Sequence, residues 1–195
     1  MAKHEHAPVV LKLIHYLQIG KSDEKIVAIE IGVLYGDLSC YLLKRIPNLE
    51  MILIDPWHVD EGYLQAQSER RLGGWKRQKQ WDEAFQKACG NLAQYAGRFD
   101  VFRETSSGAV KMIGDAIADI VFIDGDHREK TVREDIANYW PKVKAGGILS
   151  GHDFSRRSSL HRGIVNAVTD FSNQTGLRVH TSGKPANVWW IHKHP

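Results

Sequence analysis

Short apolar runs alternate along the chain with longer stretches of helical period. Ile26-Val27-Ala28-Ile29, Met51-Ile52-Leu53-Ile54, Ile120-Val121-Phe122-Ile123 and Ile148-Leu149 are wholly apolar, and Asp100 to Arg103 is a weaker run. Runs without polar alternation predict strands covered on both faces, as in a parallel sheet. Between them the spacing predicts helices: an amphipathic one over Val9 to Leu17, within residues 1–20, and others over Asp37 to Arg45, Trp81 to Tyr95 and from about Ser107. Two more carry Val132, Ile136 and Tyr139 on one face and span Leu160 to Phe171. Right-handed crossovers through such helices make a doubly wound α/β domain. The last two runs, Leu177 to His180 and Val188 to Ile191, are separated only by Thr181 to Asn187. That gap is too short for a helical crossover, so it predicts a hairpin. The expected architecture is a seven-stranded, mostly parallel sheet with one antiparallel strand from this C-terminal hairpin.

Composition narrows the class. At 195 residues the chain has room for one ordinary domain, spanning 1–195. Apolar residues at 43% and charged residues at 25% exclude a disordered or collagenous chain. No run approaches the length of a membrane span. A formal charge of +3 is too slight to imply nucleic acid on its own. Cys40 and Cys89 form neither a disulfide framework nor a zinc spacing, and both are expected to be buried thiols. With no apolar signal core near Lys3, Glu5 and Lys12, the expected location is cytoplasmic. The oligomeric state is not encoded legibly, and a homo-oligomer stays open.

Four runs end in acidic residues: Glu30, Asp55, Asp124 and Asp153. In an open parallel sheet, ligands sit beyond the carboxyl ends of the strands. Acids gathered along that edge repel one another and cost free energy to desolvate. They point to a ligand carrying hydroxyls, ammonium groups or metal charge; the plainer reading makes each a helix cap or solvated loop residue. The first strand-to-helix turn, Glu30-Ile31-Gly32-Val33-Leu34-Tyr35-Gly36, has glycines that let the backbone turn tightly. It is not the dinucleotide fingerprint, because Leu34 occupies the middle position. Asp55 ends the second run at the offset that suits a carboxylate binding ribose hydroxyls. A ribose site without a pyrophosphate seat suggests a nucleoside-like cofactor.

The turn from Glu30 through Gly32 and Gly36 to Ser39 resembles that of class I S-adenosylmethionine-dependent methyltransferases, especially catechol O-methyltransferase-like enzymes and their bacterial small-molecule relatives. Val121-Phe122-Ile123-Asp124-Gly125-Asp126-His127 is similar to a hallmark of those relatives. So is Lys144-Ala145-Gly146-Gly147-Ile148 leading to Gly151-His152-Asp153. The resemblance implies a Rossmann-like methyltransferase fold with S-adenosylmethionine as cofactor. Gly32 and Gly36 would pack against its methionine part with Glu30 supporting the loop. Asp55 would hold the ribose, Ser106 would fall at the adenine, and Trp57 would either flank the adenine or fill the core. Asp124 is placed with this cofactor set and also, with His152 and Asp153, in a divalent cation site. Hard oxygen ligands favour Mg²⁺, Mn²⁺ or Ca²⁺ there. Catechol O-methyltransferase has an Asp-Asn pair where this chain has His152-Asp153.

Methyl transfer to a hydroxyl needs alignment and a way to remove the acceptor's proton. By analogy with some sugar O-methyltransferases, His127 is the expected general base; a helix N-terminus beside it would favour the neutral ring. The alternative is a helix-capping histidine. Residues 58–80, with Arg70, Arg71, Lys76, Arg77 and Lys79, suggest a lid over an anionic acceptor or else a solvated helical face. Arg156, Arg157 and Arg162, with His161, form a second basic cluster after Asp153, at the edge where it would line the acceptor pocket. The main expectation is O-methylation of a small molecule's hydroxyl, on an anionic acceptor if the basic clusters line its pocket, with no membrane partner. Two others stay open: methylation of a nucleic acid or other large anionic partner, and a non-catalytic cofactor-binding module.

Overall fold

The computed structural model describes residues 5–18, 24–58 and 77–194. The proposed lid therefore lies, for residues 59–76, outside the described residues. Helix α1 (Ala7–Leu17) precedes strand β1 (Ile26–Ile31), α2 (Asp37–Leu43), β2 (Leu49–Ile54), α3 (Gln78–Leu92) and β3 (Phe99–Phe102). A one-turn helix α4 (Ser106–Ala109), β4 (Ala118–Ile123), α5 (Glu129–Tyr139), β5 (Val143–Gly151), α6 (Ser159–Thr175), β6 (Val179–Thr181) and β7 (Trp189–His192) follow.

The strands form one seven-stranded sheet in the order β3-β2-β1-β4-β5-β7-β6. Strands β1 to β5 pair in parallel, while β7 runs antiparallel to both β5 and β6. The short Thr181–Asn187 connection thus produces the hairpin its length required. Successive side chains of a strand point to opposite faces, and β4 shows it plainly. Ile120 and Phe122 join the core layer under α1, α2 and α3, whereas Val121 and Ile123 join the layer under α5 and α6. Both layers are apolar, which is why these strands read as unbroken hydrophobic runs.

Cys40 is half-buried, but Cys89 is exposed, against expectation. Helix α3 turns Ala84, Ala88 and Leu92 inward, and Cys89 falls one step around the helix from that stripe. Among the described residues, no helix is long and apolar enough to cross a membrane.

The chain reverses its winding direction between β1 and β4, whose carboxyl ends therefore flank a crevice. Strands β1 and β4 are in register through Ile31↔Ile123, so Gly32 and Asp124 emerge side by side at its floor.

Candidate active site

Three backbone donors build the first wall of the crevice. Asp55 leaves β2 and turns its carboxylate toward the β1 turn. Its Oδ2 accepts hydrogen bonds from the amides of Val33 and Leu34, each at 3.0 Å, and its Oδ1 accepts from the amide of Trp57 at 2.8 Å. Leu34 and Trp57 both hold positive φ, 51° and 41°. Such conformations cost free energy for residues with a Cβ and persist only where their surroundings over-determine them. Asp55 supplies that constraint, and Trp57 closes the loop by donating Nε1–H to the Leu34 carbonyl at 2.8 Å. The Trp57 ring is 1% exposed and packs on Phe85, so its visible work is in the core. Asp55 is itself buried, which pushes its carboxyl pKa up against the lowering effect of the three amides. A carboxylate offers about four acceptor sites, so one remains for a ligand hydroxyl.

Gly32 has a reason beyond its φ of +87°. A Cβ there would lie 2.3 Å from the Asp124 carbonyl oxygen. The β1 and β4 loops are thus in backbone contact, and only glycine allows it. Gly36, at φ +73°, is the N-cap of α2. Beneath the turn, Glu30 is 3% exposed and accepts a bond from the Ser39 hydroxyl. Burial raises its pKa to about 8, and Asp124, Asp55 and Asp37 push in the same direction. The mutual repulsion expected of acids along this edge is therefore present.

The second wall is a cluster of carboxylates and imidazoles. His152 Nδ1 lies 3.2 Å from Asp124 Oδ1, and His127 Nε2 lies 3.7 Å from the same oxygen and 3.1 Å from Asp153 Oδ2. Asp153 sits at φ +56°, and His161 brings its Nε2 to 3.4 Å from Asp153 Oδ2. The Ser155 hydroxyl, 3.0 Å from His161 Nδ1, orients that ring. Burial alone would raise the Asp124 pKa, but His127 and His152 outweigh it and hold the carboxyl well below the usual range. Burial works against charge on His127, yet the Asp124 and Asp153 carboxylates prevail and raise its pKa to about 10. The expected neutral ring is therefore not what this arrangement favours. Helix α5 begins at Glu129 with Arg128 as its N-cap, so His127 stands outside the helix and faces two full charges instead.

These groups have the composition of a cation site. His127 Nε2 is buried, and its short approach to Asp153 is not aligned as a hydrogen bond, which leaves the atom without a hydrogen-bond partner among the described residues. Asp124, His127 and Asp153 bring one ligand atom each within 4.8 Å of one another. An orphaned ring nitrogen aimed at two carboxylates fits a divalent ion better than it fits a finished structural network.

Ser106 lies across the sheet at the start of α4. Its hydroxyl donates to Asp135 Oδ1 at 2.5 Å, and its carbonyl accepts from the Tyr139 hydroxyl at 2.8 Å. Burial raises the Asp135 pKa to about 7. The hydroxyl and the carbonyl of Ser106 are thus tied to α5.

The structure brings Glu30, Gly32, Gly36, Asp55, Asp124, His127, His152 and Asp153 to the edge where the strand runs end. Sequence reasoning placed His161 only in the basic cluster after Asp153, not beside the Asp153 carboxylate, and it missed His6. His6 gave no local signal: it precedes α1 and reaches the site only in three dimensions, with its ring 4.6 Å from that of His152.

A family model described as "Methyltransferase domain" matches residues 29–154. No curated protein matches the chain significantly. Among solved structures, the O-methyltransferase NovP superposes with a TM-score of 0.69 at 12% identity, covering 98% of this chain and 80% of that one. TomG from Streptomyces achromogenes, an O-methyltransferase in complex with S-adenosylmethionine, gives 0.61 at 13% identity, covering 95% and 79%. The S-adenosylhomocysteine-bound methyltransferase PaMTH1 of Podospora anserina gives 0.65 at 8% identity, covering 94% and 78%. At these identities the superpositions speak for the fold. The family match takes in the glycine turn, Asp55, Ser106, Asp124, His127, His152 and Asp153, and by it this chain belongs to the methyltransferase domain family.

Proposed function

We propose that this methyltransferase domain uses S-adenosylmethionine to methylate a hydroxyl of a small, anionic molecule. The observation that carries the reading is the crevice between β1 and β4. A backbone-built glycine turn faces an acid–imidazole cluster across it, in a fold shared with methyltransferases that hold this cofactor or its product. When bound, the sulfonium supplies the methyl group.

Gly32 and Gly36 let the β1 turn approach the methionine part closely. Asp55 keeps one acceptor site for a ribose hydroxyl, and buried Glu30, which holds its proton below about pH 8, supports the turn through Ser39. Ser106, which follows β3, is assigned to the adenine through its backbone, since its hydroxyl is held by Asp135. Asp124, Asp153 and His127 or His152 would hold a divalent cation; when bound, it supplies charge that makes an acceptor hydroxyl more acidic. With His152 as the ion's nitrogen ligand, Asp124 and Asp153 would no longer hold the proton on His127, and its Nε2 would then be the chain's own group for receiving the acceptor's proton.

Arg156, Arg157 and Arg162 support the anionic acceptor. They follow Asp153 at the same edge, Arg156 and Arg157 are exposed, and none has an ion pair among the described residues.

Calorimetric titration tests the reading. S-adenosylmethionine and S-adenosylhomocysteine should bind at one site per chain, and NAD should not. Absence of binding by both adenosyl compounds would refute it. Methyl transfer to an acceptor whose binding weakens steeply with salt would favour the large anionic partner instead.

A further inference from the structure

The buried carboxylates of this fold are supplied with donors unequally. Asp55 accepts from three amides, and Asp119 from an amide and a lysine. Asp135 on α5 is 2% exposed, yet among the described residues its single hydrogen-bond donor is the Ser106 hydroxyl. A buried polar group so thinly satisfied asks for an explanation.

The surroundings of Asp135 make its charge conditional. Burial raises its pKa to about 7, and Asp126 and Glu134 push the same way, against the Ser106 bond. The other groups packed around α5 do not offset them. Arg128 is paired with Asp126, and Arg133 with Glu129 and with Asp170 of α6. The β4 and β5 side chains of this layer, Val121, Ile123, Val143 and Leu149, are apolar. Lys111, beyond α4, acts on Glu104. Tyr139, one turn along the same helix face, has its pKa pushed up by burial, so it is neutral and donates to the Ser106 carbonyl at 2.8 Å. One helix thus grips Ser106 at its hydroxyl and its carbonyl, and that helix begins at Glu129, just after His127.

The grip depends on the proton. Ionised, Asp135 accepts the Ser106 hydroxyl in a charge-assisted bond, about twice as strong as a neutral one. Protonated, it keeps only the neutral bond. The tie therefore tightens as pH rises through neutrality. A loop already held in its binding shape costs less to order when a ligand arrives.

We propose that Asp135 is a positioning residue of the cofactor site: through Ser106 it sets the start of α4 against the adenine, so that adenosyl compounds bind more tightly when Asp135 is ionised. This role rests on the reading above, which assigns Ser106 to the adenine.

S-adenosylhomocysteine is titrated calorimetrically into the full chain at pH 6 and pH 8, on either side of the Asp135 pKa. Other groups at the site titrate too, so the quantity read is the ratio of the two affinities in each variant against the parental ratio. Asp135→Asn keeps the shape and an acceptor for the Ser106 hydroxyl but carries no charge. The parental ratio should exceed that of Asp135→Asn by ~3-fold, since a charged hydrogen bond outweighs a neutral one and part of the change falls outside this window. The two chains should nearly agree at pH 6 and separate at pH 8. Near pH 7 the parent should release protons on binding, seen as a dependence of the heat on the buffer's ionisation enthalpy, and Asp135→Asn should release fewer. Ser106→Ala should lower the ratio as Asp135→Asn does, and the double variant no further. Tyr139→Phe, which loosens only the grip on the carbonyl, should weaken binding equally at both pH values. Melting curves confirm folding; if Asp135→Asn does not fold, Ser106→Ala carries the same comparison. An unaltered ratio in Asp135→Asn or in Ser106→Ala overturns the role, even where the melting temperature has fallen, because Asp135 is then structural alone. Failure of the parent to bind S-adenosylhomocysteine at either pH refutes the cofactor reading itself and this role with it, whereas parental binding with unaltered ratios defeats this role alone.

Discussion

The two walls of the crevice are built from similar residues by different means. In the β1 turn, each oxygen of Asp55 is met by backbone amides, and the strained residues Leu34 and Trp57 are locked by those same bonds. In the β4–β5 wall, Asp124 and Asp153 face imidazoles, whose charge depends on pH and ligand. Asp119, at the opposite end of β4, is a further contrast: its Oδ2 accepts from both the Val27 amide and Lys144, a fixed structural tie. Backbone bonds preorganise a shape that does not change during a reaction. Charge held by titratable charge is adjustable, and a ligand can take over either partner.

The comparison can be broken at its strongest point first. Gly32→Ala places a Cβ against the Asp124 carbonyl at a positive φ. It should cost about 3–5 kcal/mol of stability and abolish adenosyl-compound binding. Urea denaturation and calorimetry measure both, and a near-parental variant would show that the loop contact is slack.

On the other wall, His127→Ala should reduce turnover by ~10²–10⁴-fold, the usual worth of a positioned proton acceptor, while S-adenosylhomocysteine affinity stays near parental. Full turnover would remove His127 from the chemistry. An equal loss of cofactor affinity would show that the walls are not separable.

Asp55→Ala leaves the Val33, Leu34 and Trp57 amides without their acceptor. Each buried unsatisfied donor costs roughly 1–3 kcal/mol, and partial relaxation should bring the total to about 3 kcal/mol. Cofactor affinity should fall with stability, because the turn loses its shape. Lost affinity at unchanged stability would mean that Asp55 acts on the ligand alone.

The smallest effect concerns Glu30. Its folded-state pKa of about 8 lies above the ordinary 4.5, so the native chain holds a proton that the unfolded chain releases. Its contribution to stability is complete below pH 4.5 and declines as pH rises to about 8. Glu30→Gln should gain on the parent across that window, by on the order of 1–3 kcal/mol. Melting temperatures of both chains at pH 5 and pH 9 check the sign. A constant difference would show that the carboxyl ionises freely.

Much of this was legible in the chain. Strand runs without alternation announced a sheet covered on both faces, and the brevity of Thr181–Asn187 announced the antiparallel β7. Acids at the ends of the runs marked the edge where the crevice lies. Local pattern works there because burial acts on each strand separately. It failed for Cys89, where one step around α3 decided exposure.

Residue identity and order along the chain determined the sheet, its winding and the set of groups at its rim. Tertiary structure decided what those groups do to one another. It turned Asp55 toward three amides, set His127 between two carboxylates that reverse its expected charge, and delivered His6 and His161 to the same cluster. Strand formation depends on neighbours a few residues away, whereas ionisation and hydrogen bonding depend on atoms a few ångströms away, which the order of residues does not specify.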